Sequence, residues 1–306
     1  MLPLYQYIKN PQKIAASLLQ RYGGRIPDRV YLKWLYRLKM GKKLDLKNPK
    51  TFSEKLQWLK LYNRRPEYTQ MVDKYAVKDY VAGIIGEEYI IPTLGLWNTL
   101  EDIEWGKLPD QFVLKTTHGG GGSGVVICRD KSAFNREEAI ERLHASMHTD
   151  IYKKLREWPY KNVSKRIIAE QIISDDTAKE IDLRDYKLFC FNGQVRFFKI
   201  DFDRFKEHHA NYYDINGSLL PFGEVNCPRR PEKQLEIPSS LPKIIELAEK
   251  ISEGHPFMRV DFYICRDSIY FGEITFFPAG GVGKISPEEW DRTIGGYLDL
   301  SNFSIV

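Results

Sequence analysis

The sequence predicts an α+β protein with mostly antiparallel sheets. Three observations carry that expectation. Apolar residues recur at helical spacing through the first seventy residues. Two Asn-Gly dipeptides, a strong hairpin signal, each lie between strand-like runs. A further pair of strands runs from Met258 to Phe277. Hairpins set among helices point away from a succession of βαβ units.

The elements follow in order. Ile14, Leu18 and Leu19 mark one amphipathic helix, and Tyr31, Leu32, Trp34, Leu35 and Leu38 another. Asn48-Pro49-Lys50-Thr51 breaks the chain and caps a third helix carrying Phe52, Leu56, Leu59 and Leu61. Residues 70–86 read as one more helix. From Gln111 the pattern changes. FVLKTT and GVVIC read as strands, and a helix follows at 135–147 with Glu137 and Glu138 in its first turn. RIIAEQII reads as an apolar strand. Asn192-Gly193 joins YKLFCF to QVRFFKI, and Asn216-Gly217 joins ANYYDI to SLL. A Pro-rich stretch from Cys227 to Pro242 leads to a helix at 242–253. The strands MRVDFYI and IYFGEITFF follow, then a short helix in EEWDRTIGGYL. There is no internal repeat.

Charge is segregated along the chain. Between Met1 and Arg65 stand 16 Lys or Arg and three acids, Asp28, Asp45 and Glu54, a local balance of +13. The whole chain carries +5, so the remainder is near −8. Such a surface suits an anionic partner, a membrane face or a phosphorylated substrate; solvated helix faces are the plain alternative. Zinc-finger spacing, an RNP pattern and a helix-turn-helix signature are all lacking, so nucleic acid is not expected. No apolar run approaches the roughly 20 residues of a membrane span. The N-terminus, MLPLYQYIKNPQK, reads as no secretory leader. Cys128, Cys190, Cys227 and Cys265 form no CxxC pair, which fits reduced thiols in the cytoplasm.

FVLKTTHGGGGSGVVIC holds Lys115, four consecutive glycines (Gly119, Gly120, Gly121 and Gly122), Ser123 and Gly124. Such a run costs conformational entropy, so something must require it. A backbone without Cβ atoms can close on phosphates and donate N–H bonds to them. The next element is a strand and no Lys-Ser/Thr pair follows, which excludes a Walker A loop. The glycines therefore tip a hairpin that can act as a lid. Lys115, on the inbound strand, is placed to reach phosphates, while His118 reads as a loop residue. A ligand-free flexible tip is the competing reading. His144 and His148, four apart on a helix, read as a solvated face for want of a third ligand.

The MRVDFYIC and IYFGEITFF strands are separated by Arg266-Asp267-Ser268. A three-residue loop pairs Cys265 with Ile269 and sets Asp261 opposite Glu273 and Arg259 opposite Thr275. Alternation puts all four on one face. Like charges directly opposed destabilise a hairpin unless a cation lies between them. The hairpin alone therefore predicts that neutralising either acid is slightly stabilising. Magnesium, which takes hard oxygen ligands, is the expected ion. Arg259 on the same face suits a phosphoryl or transition-state oxyanion. A solvent-facing acid pair offset by Arg259 is the alternative.

The segments NPKTFSEKLQWLKL, DKYAVKDYV, FVLKTTHGGGGSG, IIAEQII, DYKLFCFNGQ, MRVDFY and YFGEITFFPAGG, in this order over roughly residues 25 to 285, resemble the ATP-grasp superfamily. The nearest likeness is to its TupA-like branch, associated with teichuronopeptide and other cell-surface polysaccharide biosynthesis. The resemblance implies an ATP-grasp fold, two α+β lobes with antiparallel sheets clasping ATP, preceded by a helical N-terminal region. Residues 1–70 would be that basic region and 71–306 the ATP-grasp domain. Within it, about 111–175 would form the glycine-loop lobe and about 176–290 the metal-site lobe. Lys74, Lys115 and Lys187 would approach the nucleotide, and Gly119 to Ser123 would cover its phosphates. Glu170, Gln171 and Ile173 would belong to the adenine-recognising hinge. Arg259 would stabilise the transferring phosphoryl group. Asp261 and Glu273 would hold Mg2+, with the Thr275 hydroxyl standing where many members carry an asparagine ligand.

The implied reaction is that of an ATP-dependent carboxylate–amine ligase, in which ATP activates a carboxylate as an acylphosphate and an amine displaces phosphate. The expected partners are a small-molecule carboxylate and an amine or glycan acceptor. The protein supplies alignment and charge neutralisation. Two alternatives stay open: a kinase acting on a sugar hydroxyl, and a glycosyltransferase using Asp201-Phe202-Asp203 as a DxD metal motif. The expected location is cytoplasmic, peripheral on the inner face of the plasma membrane. There Tyr5, Tyr7, Ile8, Ile14, Leu18 and Leu19, interleaved with Lys9, Lys13 and Arg21, would form an interfacial helix meeting anionic lipid or a lipid-linked glycan.

Overall fold

Helices lead the chain, as the periodicity requires. The computed structural model describes residues 11–120, 122, 124–173, 184–202, 207–233, 236–265, 268–301 and 303. Helix α1 (Pro11–Tyr22) packs on α2 (Asp28–Met40), which buries Tyr31, Leu32, Leu35 and Tyr36. Helix α3 (Phe52–Tyr62) begins at a capping box: Thr51 Oγ1 accepts from the Glu54 N–H, and the Glu54 carboxylate accepts from the Thr51 N–H. The single helix expected over 70–86 is two, α4 (Glu67–Val72) and α5 (Ala76–Ile85). Asp73 causes the break, because its Oδ1 accepts from the N–H groups of Tyr75 and Ala76 and offers the backbone a turn in place of helix.

One sheet has four strands, β1 (Thr93–Trp97), β2 (Phe112–Thr116), β3 (Val125–Cys128) and β4 (Ile167–Glu170), in the order β1-β4-β2-β3. Helix α6 (Arg136–Met147), capped by Asn135, packs on β2 and β3 and shares a core with Phe112, Leu114, Val126 and Ala169. A short helix, α7 (Ile151–Leu155), follows it. The second sheet holds β5 (Asp185–Phe191), β6 (Gln194–Phe202), β7 (His209–Asp214), β9 (Phe257–Cys265) and β10 (Ser268–Thr275), in the order β10-β9-β5-β6-β7. The short β8 (Gly223–Glu224) pairs with β11 (Ile285–Ser286), next to the final helix α9 (Glu289–Tyr297). Every strand pairing among the described residues is antiparallel.

The second sheet has two unlike faces. Tyr186, Leu188, Cys190, Met258, Val260 and Phe262 are buried on one, under α8 (Leu241–Ser252), and Cys190 Sγ reaches Ala248 O at 3.9 Å. Alternation sends Asp185, Lys187, Arg259 and Asp261 to the other. Both Asn-Gly turns form. Asn192 and Gly193 have φ of 50° and 81°, as the tight two-residue turn between β5 and β6 demands. After Asn216-Gly217 only a single bridge follows, Tyr213 to Leu219, because Asp214 Oδ1 takes up the N–H groups of Asn216 and Ser218.

The register of the β9–β10 hairpin corrects the sequence reading in an instructive way. Cys265 pairs with Ser268, not Ile269, so the connection is one residue shorter than expected. The slip is then undone by a bulge at Gly272, and Asp261 still faces Glu273 and Arg259 still faces Thr275. A Cβ at Gly272 would lie 3.1 Å from Asp261 O, so the bulge is tight against the opposite strand.

Candidate active site

The polar face of the second sheet gathers charges from four strands. Arg259 grips Asp261 with two parallel bonds, Nε to Oδ1 at 2.7 Å and Nη2 to Oδ2 at 2.6 Å. The same Nη2 reaches Glu273 Oε1 at 3.0 Å, and Thr275 Oγ1 donates to that oxygen at 3.3 Å. Lys74, from the break between α4 and α5, places Nζ 3.1 Å from Glu273 Oε2. Lys187 on β5 pairs with Asp185 and lies 3.2 Å from Asp201 and 3.6 Å from Asp261. Lys199 on β6 lies 3.2 Å from Asp201 and 3.1 Å from Glu224. Among the described residues, these four cations thus meet five carboxylates, Asp185, Asp201, Glu224, Asp261 and Glu273.

These contacts overturn the like-charge expectation. The acids do face each other, but Arg259 and Lys74 lie against them, so neutralising either one costs Arg259 one of its two carboxylate partners. Burial pushes Glu273 up, yet Lys74, Arg259 and Lys187 outweigh it and hold this carboxyl well below the usual range. Burial pushes Asp261 up, to about 6, with Arg259 and Lys187 pulling against it. Two hard carboxylates side by side are a donor set that fits a magnesium ion.

A second charged centre lies on the four-stranded sheet. Glu170, at the end of β4, is 4 % exposed. Lys115 Nζ lies 2.5 Å and Lys78 Nζ 2.6 Å from its oxygens, and Lys78 also donates to Ile91 O. Both lysines outweigh burial and hold Glu170 low. Sequence reasoning missed Lys78. The signal was present: it follows Lys74 by four residues within DKYAVKDYV. Beyond Glu170, Gln171 is exposed and donates its backbone N–H to Pro92 O at 3.0 Å, and Ile173 is half-buried.

The glycine hairpin is paired from Phe112–Cys128 up to Lys115–Val125. Gly121 and Ser123 lie outside the described residues. The glycines that are described serve different ends. A Cβ at Gly119 would lie 2.4 Å from Thr116 Oγ1, and one at Gly124 would lie 2.2 Å from Ser146 Oγ. Those hydroxyls bond each other at 2.7 Å, so the base of the tip is glycine because it packs on this pair. A Cβ at Gly120 would meet Ile151 at 3.4 Å, an ordinary contact. One backbone bond ties this hairpin to the carboxylates: the Lys74 N–H donates to Thr117 O at 2.9 Å. His118 is a turn residue, as read, but it is buried.

Other candidates resolve simply. His144 and His148, at the end of α6, are exposed, with ring centroids 4.2 Å apart and planes tilted by 45°. Asp203 of the DxD reading lies outside the described residues, and Asp201 is engaged by Lys187, Lys199 and His208. His208 and Cys227 each bring a ligand atom within 4.8 Å of Asp201, but the two ammonium groups already face that carboxylate.

Comparison with known proteins fits this architecture. A family model described as TupA-like ATPgrasp matches residues 54–299. The chain belongs to the TupA-like ATP-grasp family. Its fold is the ATP-grasp fold, mixed helix and antiparallel sheet with helices ahead of it. No curated protein sequence matches. Similar solved structures include a D-alanine–D-alanine ligase from Bacillus anthracis, 17 % identical with a TM-score of 0.38, over 67 % of this chain and 57 % of that one. The D-alanyl-alanine synthetase A from Vibrio cholerae is 12 % identical, TM-score 0.42, over 69 % and 57 %. The ATP-grasp ligase PsnB, complexed with a phosphomimetic variant of its minimal precursor, Mg and ADP, is 12 % identical, TM-score 0.41, over 92 % and 73 %. The chain thus spans little more than half the length of the two D-alanine enzymes.

Proposed function

We propose that this protein is a magnesium-dependent ATP-grasp ligase that activates a carboxylate as an acylphosphate and joins it to an amine. The Arg259–Asp261–Glu273–Lys74 cluster, tied through Lys74 to the glycine hairpin, carries this reading. Asp261 and Glu273, with the Thr275 hydroxyl beside them, would hold Mg2+, which when bound offsets phosphate charge. The residues themselves do the rest. Lys115 and Lys187 orient the nucleotide phosphates, and the backbone from Gly119 to Ser123 covers them. The backbone from Glu170 to Ile173 receives adenine. Arg259 neutralises the phosphoryl group as it leaves ADP for the carboxylate oxygen. The amine then attacks the acyl carbon, and phosphate departs with its electron pair. No side-chain nucleophile is required.

The test is product analysis with ATP, magnesium and a panel of amino acids and uronic acids. ADP, phosphate and an amide are the expected products. ADP with a phosphoester would replace this reading by a kinase, and a nucleoside diphosphate released from a sugar donor would replace it by a glycosyltransferase.

Within this reading the ligase decorates a cell-surface polysaccharide or its precursor, at the cytoplasmic face of the plasma membrane. Among the described residues no helix is long and apolar enough to cross a membrane. Leu18, Tyr22 and Trp34 are exposed on α1 and α2, beside Lys13, Arg21, Arg25, Arg29, Lys33 and Arg37. The one acid of these helices, Asp28, is held by Arg64 and Arg156. Tyr5, Tyr7, Ile8 and Lys9 lie outside the described residues. Each basic residue near an anionic surface adds about 1 kcal/mol. Salt-sensitive sedimentation with anionic vesicles is expected, and it should be lost on Leu18→Glu with Trp34→Glu. Full recovery of the unaltered protein in the supernatant at low salt would remove the membrane from this reading.

A further inference from the structure

Beside the glycine hairpin lies a small open cavity of about 50 Å³, walled by His118, Thr149, Asp150, Tyr160, Lys161 and Lys165. It lies apart from the Asp261–Glu273 pair but next to it. His118 follows Thr117, whose carbonyl receives the Lys74 N–H, and Lys74 also bonds Glu273. Another wall residue, Tyr160, has its hydroxyl raised by burial first, with the charges of Glu157 and Glu273 adding to it.

Two observations say what the cavity accepts. The first is His118, 4 % exposed, whose Nδ1 is buried without a hydrogen-bond partner. Its other nitrogen faces Ser146 O at 3.2 Å. A carbonyl only accepts, so Nε2 carries the proton and Nδ1 is the idle atom. An idle buried polar atom is costly, which points to a missing partner. The second is charge. The Lys165 ammonium is fixed at the rim by Met147 O at 2.8 Å and Thr149 O at 3.0 Å, and Lys161 is exposed beside it. Among the described wall residues the one acid, Asp150, is turned to α7, where it accepts from the Lys153 N–H at 2.8 Å and pairs with the Lys153 ammonium at 3.1 Å.

We propose that this cavity binds an oxyanion of the substrate, a carboxylate or a phosphate, between Lys161, Lys165 and His118 Nδ1. The inference deepens the ligase reading and rests on it for the word substrate. It means that the molecule being ligated carries an acidic group besides the carboxylate under activation. Burial, Lys165 and Lys74 outweigh the Ser146 and Thr149 backbone and hold the His118 ring below its ordinary range, which favours the neutral ring. An anion at Nδ1 reverses that preference, so binding takes up a proton and Nδ1–H donates to the oxyanion. Burial holds the Tyr160 hydroxyl well up, and against burial the bonds to Lys153 together with the charge of Lys165 hold Asp150 low, so neither changes charge across neutral pH.

The test uses the full chain saturated with ADP and magnesium, titrated with inorganic phosphate or with succinate at fixed ionic strength. The readout is the His118 Cε1–H proton resonance, assigned by its loss in His118→Gln. A saturable shift toward imidazolium is expected. Lys161→Glu should weaken the anion at least tenfold with ADP affinity within twofold of the unaltered protein. Whichever of phosphate and succinate binds tighter identifies the oxyanion. No saturable shift with either probe, or an unchanged affinity in Lys161→Glu, overturns the proposal. So does parallel loss of ADP affinity, which would assign the cavity to the nucleotide. None of these readouts needs turnover, so failure to detect an amide product leaves them intact.

Discussion

Asp261→Asn and Glu273→Gln are each expected to lower magnesium-dependent ATP turnover on the order of 10²–10³-fold, the range for loss of one group aimed at developing charge. The motive is their shared position under Arg259 and Lys74. The structure adds a second outcome. Asp261 is 2 % exposed and holds the Arg259 guanidinium with two bonds. Asp261→Asn therefore leaves a buried cation short of a partner, and destabilisation of about 3–5 kcal/mol is expected without metal. The Glu273 side chain is 38 % exposed, so its loss should cost much less. Turnover against magnesium concentration measures the first effect, and metal-free urea unfolding the second. Undiminished turnover in both variants would remove Asp261 and Glu273 from the metal site.

Lys60→Met is expected to destabilise the protein by about 3–5 kcal/mol, for a different reason. Lys60 has no exposed surface. Its ammonium donates to Leu155 O at 2.8 Å and to Gly280 O at 2.6 Å, joining α3 to the loop that follows β10. Glu157 is the nearby counter-charge. Burial lowers Lys60 to about 8 and raises Glu157 to about 7, each restrained by the other. Between pH 4.5 and 7 the folded carboxyl binds protons that the unfolded one has released, so its contribution to stability falls as pH rises. Between about 8 and 10.5 the folded amine has released protons that the unfolded one keeps, so its contribution recovers as pH rises. The pair therefore predicts a shallow stability minimum at pH 7–8. Lys60→Met with Glu157→Gln should restore part of the loss and flatten this profile. Urea midpoints across pH measure both, and a Lys60→Met midpoint equal to that of the parent would rule the anchor out.

What the sequence revealed was mostly local. Capping at Thr51, the Asn192-Gly193 turn and the hairpin after Gln111 are short-range chemistry, and all form. The pairing of Asp261 with Glu273 was reached through a wrong loop length, and the Gly272 bulge supplied the compensating residue. A glycine within a strand pattern hints at such a bulge but does not place it. The split among the glycines was hidden because Ser146, which excludes a Cβ at Gly124, comes from α6. Buried lysines were less legible still. Lys60 finds its acceptors 95 and 220 residues away, and nothing in an amphipathic pattern marks a lysine that turns inward.

Lys74 holds two roles at its two ends. Its amide is a fixed tether, bonded to Thr117 just past the strand that leads into the glycine tip, and its ammonium is a counter-ion for Glu273. The long aliphatic stem between them lets the charged end move while the tethered end stays. An ion that claims Glu273 therefore displaces only the ammonium, and the displaced charge remains leashed within a side chain's length of the hairpin. Tether and charge are separable by substitution: a methionine at this position keeps the amide and discards the cation. The position is thus a joint whose mechanical and electrostatic halves can be taken apart one at a time.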